Sequence, residues 1–319
     1  ATPDRFGGGR NLINNLILGY DGAIYPVNPK YDELFGKQCY PSILEVPDPL
    51  DLALVFVPAR AVPVVLEQCV SRGLPGAIIE SSGFSEIGPE GKALQDQCLA
   101  IARKGGLRLW GPNCMGLVDA KHGYVFSFMH SRKFRDQLTA GRVSLVVQSG
   151  MLSAAFLVDL MSNGLMGISK VCSVGNKVDV NECDLLEYYI DDPKTHAIGM
   201  YLEDIRDGSR FMSLLRENRE RHRKPVVVLK AGKSEKGKQA VSSHTGSMAG
   251  SYAAVDLEWP AGISDHLRYI TNSGGRMPRA TLDRLRAALP RTKPFLMYGL
   301  TEAFRSTYLP PEEVDRRPD

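Results

Sequence analysis

The chain lacks any long apolar run. No stretch of its 319 residues approaches the ~18 apolar residues of a membrane span, and no leader with a charged start and a small-residue cleavage site is visible. That excludes a membrane role, and the expected localisation is cytoplasmic. Cysteine is sparse and unpatterned: Cys39, Cys69, Cys98, Cys114, Cys172 and Cys183 form no CxxC pair and no metal-ligand spacing, which reads as reduced thiols in core or loop. A dominant charge is missing too. The net charge of +3 argues neither for nor against nucleic acid, and a charged small molecule fits equally well; no nucleic acid is expected as a partner. The start, Ala1-Thr2-Pro3-Asp4-Arg5-Phe6-Gly7, lacks Met and begins in a loop, so a segment upstream is expected.

What is present is ordinary for a globular chain: 43% apolar and 24% charged residues, enough for the cores of two or three domains. Residues 10 to 19 read as a helix with Leu12, Ile13, Leu16 and Ile17 on one face, followed by a short strand from Gly22 to Val27. The runs Asp51 to Val57, Gly76 to Ile79 and Leu107 to Trp110 are continuously apolar, with helical segments near 60 to 73 and 89 to 104 between them. Strands buried on both faces and alternating with helices specify an α/β fold with a parallel sheet. After a polar segment from Ser131 to Gly141 the pattern resumes with strands at Val143 to Val147, Val171 to Ser173, His196 to Glu203 and Pro225 to Lys230, and an acidic helix from about Glu182.

Ligands of open parallel sheets bind at the carboxyl ends of the strands. In the first half those ends are Asn28-Pro29-Lys30, Pro58-Ala59-Arg60, Glu80-Ser81-Ser82-Gly83-Phe84 and Gly111-Pro112-Asn113-Cys114. Tight turns alone would account for the Gly and Pro, less readily for Asn28, Lys30, Ser82 and Asn113 recurring at equivalent places. In the second half they are Gln148-Ser149-Gly150, Gly175-Asn176, Glu203 and Ala231-Gly232-Lys233. A strand running into Ser-Gly and then a helix points backbone N–H groups and a positive dipole end at an anion. Just beyond stands Ser242-Ser243-His244-Thr245-Gly246-Ser247-Met248-Ala249-Gly250, a histidine among small residues that leave it open to an incoming phosphoryl group. Neutral imidazole, with an ordinary pKa of about 6.5, is nucleophilic near neutrality. The bland alternative is a loop histidine bonded to a carbonyl, as Glu203 could be a solvated charge and Ser149 a helix cap.

Six stretches together carry a resemblance: Ile24-Tyr25-Pro26-Val27-Asn28-Pro29-Lys30, Gly111-Pro112-Asn113-Cys114-Met115-Gly116, Gln148-Ser149-Gly150, Ser173-Val174-Gly175-Asn176, Tyr201-Leu202-Glu203 and Ser243-His244-Thr245-Gly246. In these the chain resembles the nucleoside-diphosphate-forming acyl-CoA synthetases, both the ADP-forming acetate–CoA ligases and the alpha subunit of succinyl-CoA synthetase, from about residue 2 to 255. The resemblance implies a Rossmann-like CoA-binding domain over residues 1–125, with its first strand missing, and a flavodoxin-like succinyl-CoA-ligase-type domain over 135–256. It implies that acyl-CoA and phosphate give acyl phosphate and CoA, that the phosphoryl group passes to His244, and that ADP receives it. Glu203 would hold the imidazole. Ser149, Gly150, Gly175, Asn176, Thr245 and Gly246 would bind phosphate, and Gly7, Asn28, Lys30, Pro58, Ser82, Gly83 and Asn113 would bind CoA. No metal ligand is expected in this chain; ATP/ADP and Mg2+ would come through an ATP-grasp partner subunit or domain, in an oligomer.

From about Val255 the likeness stops. Residues 257–319 are expected to form a divergent tail in which Ile270-Thr271-Asn272-Ser273-Gly274-Gly275-Arg276-Met277-Pro278 and Tyr298-Gly299-Leu300-Thr301-Glu302 look like pieces of AMP-forming acyl-CoA synthetases, joined by a helix from Pro278 to Leu289. Two other readings stand beside the leading one: a CoA-binding protein without catalysis, and part of an AMP-forming ligase fusion. An NAD enzyme is disfavoured, because GxGxxG and a following acidic residue are absent.

Overall fold

The computed structural model describes residues 8–129, 137–164, 166–231, 269–272, 279–291, 293–298 and 307–309. Helix α1 (Gly8–Gly19) buries Leu12, Ile13 and Leu16 of the expected face, whereas Ile17, at its edge, is exposed. Between them Asn15 is fully buried, and its amide donates to the carbonyls of Ser127 (2.6 Å) and Met129 (2.7 Å). The short strands β1 (Glu33–Leu34) and β2 (Lys37–Gln38) pair antiparallel.

Three parallel strands follow in the order β3 (Ala53–Val55), β4 (Gly76–Ile79) and β5 (Arg108–Trp110), connected by helices α2 (Val62–Ser71) and α3 (Pro89–Gly105). Val62, Leu66, Cys69, Phe84, Cys98 and Leu109 meet in one core beneath them. Fully burying each such aliphatic side chain contributes about 1.5–3 kcal/mol.

Among the described residues the larger sheet has nine strands. In spatial order it runs β14 (Thr307–Leu309), β13 (Lys293–Tyr298), β12 (Tyr269–Asn272), β11 (Val226–Lys230), β10 (Ala197–Leu202), β8 (Ala140–Val147), β9 (Ile168–Ser173), β6 (Leu117–Asp119) and β7 (Tyr124–Phe126). Strands β8 to β13 are parallel, whereas at the two edges β6 pairs antiparallel with β9, β7 with β6 and β14 with β13, so the sheet is mixed. Its helices are α4 (Gly150–Asn163), α5 (Glu182–Asp191), α6 (Gly208–Glu217) and α7 (Arg279–Ala288). Val146, Cys172, Leu186, Tyr189, Ile198 and Leu202 form its core. All six cysteines are free and buried, and burial pushes the Cys69 and Cys172 thiols up to about 12.

Three features differ from the sequence reading. The strand expected at Gly22 to Val27 reduces to one bridge, Val27 to Tyr40. Pro26 has no N–H to offer a ladder; its carbonyl accepts from Tyr40 N at 2.9 Å instead. The pair β6 and β7, from the end of the first predicted domain, is an edge of the second domain's sheet. Strands β12 and β13, from the segment expected as a divergent tail, continue that sheet on its other side.

Candidate functional site

The register places the carboxyl ends of four parallel strands side by side: Val147 beside Ser173, Tyr201 beside Val147, and Leu202 beside Lys230. The turns that follow therefore share one edge of the sheet. Gln148, fully buried, ties two of them together: its Oε1 accepts from the N–H groups of Glu203 (2.8 Å) and Asp204 (3.3 Å), and its Nε2 donates to Asp204 Oδ1 (2.6 Å). Lys230 Nζ donates to the Glu203 carbonyl at 2.5 Å. Glu203 is thereby fixed at the end of β10 and buried. Lys177, also fully buried, pairs with Glu182 (2.7 Å) and Asp204 (3.0 Å), which anchors the next turn to the same edge.

Ser149 is the N-cap of α4, its Oγ accepting from Leu152 N at 3.4 Å. The cap leaves the first N–H groups of a 14-residue helix, at Gly150 and Met151, facing outward from the strand end. Gly150 is held close to the first domain, since a Cβ there would lie 2.9 Å from Met115 Cγ.

Gly175 and Asn176 sit where the two domains touch. Gly175 has φ +55°, and a Cβ would fall 2.2 Å from the Pro112 carbonyl oxygen, so only glycine fits both the backbone and the approach. The N–H of Asn176 donates to Pro112 O (2.9 Å). Its amide Nδ2 reaches Glu86 (2.8 Å), Gln95 (2.9 Å) and Ser85 (3.1 Å), and its Oδ1 lies 3.4 Å from Asn113 Nδ2. Asn176 therefore spends its polar groups on the junction.

In the first domain the turns after β3, β4 and β5 are laced together. Ser81 Oγ accepts from Val57 N (3.1 Å) and donates to Val57 O (2.6 Å), and Asn113 N donates to Ser81 O (2.9 Å). These turns face the start of α4 across a cleft of about 650 Å3, lined by Pro58, Glu80, Ser82, Asn113 and Met115 on one side and Gly150 and Met151 on the other. Of the residues expected at CoA, Pro58, Ser82 and Asn113 line this cleft together with Gly150. Gly83 stands next to it, with φ +105° and its N–H on Glu86 Oε1 (2.6 Å). Asn28 and Lys30 lie in a separate turn, where Asn28 Oδ1 accepts from Lys30 N (2.9 Å). Gly7, His244, Thr245 and Gly246 fall outside the described residues.

Sequence reasoning passed over Glu80, Gln148 and Lys177. Gln148 and Glu80 stood inside turns already singled out, but their roles depend on burial, which the turn pattern does not display. Among the described residues no group of three or more His, Cys, Asp or Glu side chains lies together as a metal site.

Comparison with known proteins gives the two halves their names. A model of the CoA binding domain matches residues 1–120, and a model of the succinyl-CoA ligase like flavodoxin domain matches residues 140–258. Acetate–CoA ligase (ADP-forming) I of Archaeoglobus fulgidus is 42% identical over 254 residues, which is 80% of this chain and 36% of that one. The alpha subunit of acetate–CoA ligase (ADP-forming) I of Pyrococcus furiosus is 39% identical over 304 residues, covering 86% of this chain and 64% of its own. A solved structure of the dinucleotide forming acetyl-coenzyme A synthetase 1 of Ca. Korarchaeum cryptofilum, in complex with phosphate and ADP, superposes with a TM-score of 0.72 at 32% identity, over 86% of this chain and 62% of that one. The chain thus spans less than two thirds of each of these relatives. It carries a CoA-binding domain followed by a succinyl-CoA-ligase-like flavodoxin domain and is similar to the alpha subunit of an ADP-forming acetate–CoA ligase.

Proposed function

We propose that this chain is the CoA-binding and phosphate-carrying part of an ADP-forming acyl-CoA synthetase, interconverting acyl-CoA, ADP and phosphate with carboxylic acid, CoA and ATP. The observation that carries this reading is the cleft: it sets Pro58, Ser82 and Asn113, at the ligand edge of the CoA-binding domain, against the N-terminus of α4 at Gly150. A thioester held by the first wall has its carbonyl within range of an anion held by the second, where free N–H groups and the helix dipole favour phosphate.

In the proposed reaction a phosphate oxygen attacks the thioester carbonyl, the carbon–sulfur bond breaks, and acyl phosphate and CoA result. A ring nitrogen of His244 then takes the phosphoryl group, releasing the carboxylate, and passes it to the terminal phosphate oxygen of ADP. Glu203, buried at the adjoining strand end, orients the imidazole and stabilises its charged form. Phosphate contacts fall to Ser149, Gly150, Gly175, Thr245 and Gly246, while Asn176 serves by holding Gly175 in place. Nucleotide and Mg2+ come from an ATP-grasp partner, and the names of the alpha-subunit relatives support a second subunit or domain.

The test is phosphoryl transfer in the complete enzyme. Incubation with radiolabelled ATP is expected to give an acid-labile, base-stable label on this chain, and His244→Asn is expected to abolish it. Equal labelling of the variant would sink the assignment.

A further inference from the structure

Glu80 has no part in the reaction as set out above, yet it is the most conspicuous side chain in the cleft. It follows β4 directly, is 3% exposed, and lines the cleft between the two domains. Neither carboxylate oxygen has a hydrogen-bond partner among the described residues. Leaving such a group unmet costs about 1–3 kcal/mol and more if it is charged, so a purely structural residue at this position would be apolar. The surroundings make room for it. Gly116 has φ +72°, and a Cβ there would lie 1.9 Å from the Phe126 carbonyl oxygen and 2.5 Å from Glu80 Oε1.

The charge of Glu80 acts on the neighbouring thiol of Cys114. That thiol donates to the Ile79 carbonyl at 3.4 Å, and burial followed by the Glu80 carboxylate pushes it far above the usual thiol range. Cys114 is therefore neither a nucleophile nor an acid near neutrality. Burial likewise pushes the Glu80 carboxyl well above the ordinary carboxylate range, because desolvation disfavours its charged form.

We propose that Glu80 is a catalytic acid–base residue for the sulfur of CoA. As phosphate attacks the thioester, the electron pair of the breaking carbon–sulfur bond goes to sulfur and the Glu80 proton joins it, giving the neutral thiol and a carboxylate. In the reverse direction the thiol gives that proton to Glu80 as sulfur attacks acyl phosphate. This rests on the acyl-CoA reading above. A thiol has an ordinary pKa of about 8.5, so in water a thiolate leaves without help. In a buried cleft that also holds phosphate a thiolate is costly, and transfer of the Glu80 proton as the bond breaks moves that charge from sulfur to a carboxyl group, whose ordinary pKa is the lower of the two. General acid–base catalysis of this kind contributes roughly 10²–10⁴-fold.

The experiment separates the two half-reactions in the complete enzyme with its nucleotide-binding partner. Glu80→Gln, which keeps the shape and loses the transferable proton, is expected to retain labelling of His244 from ATP. It is expected to lose acyl phosphate formation from acyl-CoA and phosphate by at least about 10²-fold, together with one limb of that step's pH profile. Acyl transfer at the wild-type rate with an unchanged profile would overturn the role of Glu80. Failure of the wild type to take label would instead remove the phosphohistidine reading, and the Glu80 role with it. Infrared difference spectra on adding acyl-CoA give a readout independent of turnover and of the variant's folding. A carboxylic-acid band that shifts in the wild type and moves again in Glu80→Asp supports the proposal, and a band that acyl-CoA leaves unmoved overturns it.

Discussion

A buried carboxyl without partners leaves a trace in stability as well as in chemistry. Glu80 keeps its proton in the folded chain at pH values where the unfolded chain has released it, so the folded state binds more protons than the unfolded one. Stability must then fall as pH rises above the ordinary carboxyl pKa, and it continues to fall until the raised folded-state pKa is passed. Glu80→Gln removes this slope. Relative to wild type, the variant is expected to gain stability progressively as pH rises above the ordinary carboxyl pKa, by at most about 1.4 kcal/mol for each pH unit up to the raised folded-state pKa. Urea titrations at several pH values measure it, and parallel curves for the two proteins would contradict it. Stability gained while acyl transfer is lost is the exchange expected of a functional group. Such a residue is hard to see in a sequence. Glu80 ends an apolar run and precedes two serines, as a solvated turn carboxylate would, and only the packing of Phe126, Cys114 and Gly116 around the strand end makes it a buried one.

Helix starts show how one local pattern can carry two meanings. Ser149 caps α4, and Asn181 caps α5 with a full capping box, its Oδ1 accepting from Cys183 N (2.8 Å) while Asp184 Oδ2 accepts from Asn181 N (3.0 Å). Loss of either cap costs about 0.5–2 kcal/mol. Both Ser149→Ala and Asn181→Ala are therefore expected to lower the denaturant midpoint by comparable amounts. Only Ser149→Ala is expected to weaken phosphate binding, read as a raised KM for phosphate in acyl phosphate formation. Equal effects of the two variants on that KM would reduce Ser149 to a cap. At this scale the sequence was readable wherever an element was long and periodic. Helices α1 to α3 and strands β3 to β5 fall where the apolar spacing put them, because burial on one or both faces imposes that spacing. Strands β6 and β7 were missed: three residues each, Leu117-Val118-Asp119 and Tyr124-Val125-Phe126, are too few to display a period, and the pairing of β6 with β9 that joins them to the sheet is nonlocal.

For the molecule as a whole, the six ordered motifs were enough to read two α/β domains and to bring Ser149, Gly150, Gly175 and Glu203 to one sheet edge, because carboxyl ends of parallel strands must share a side. The seam between the domains was not readable, since it is made of contacts between turns far apart in the chain. Asn176 shows the difference. Its motif suggested an anion ligand, whereas its side chain joins Ser85, Glu86, Gln95 and Asn113 across the junction, and its N–H meets Pro112. Asn176→Ala would leave the buried Gln95 side-chain oxygen short of a donor, at about 1–3 kcal/mol, and would remove a donor from the half-buried Glu86 Oε2. Both partners lie in the first domain, and the turn they hold carries Gly175 in the second, so the loss falls on the seam and leaves both cores intact. The expected outcome is a lower first melting transition with an unchanged second one in calorimetry, accompanied by weaker acyl transfer because the two walls of the cleft no longer hold their spacing. A variant that melts like wild type yet fails to bind phosphate would instead return Asn176 to the phosphate site.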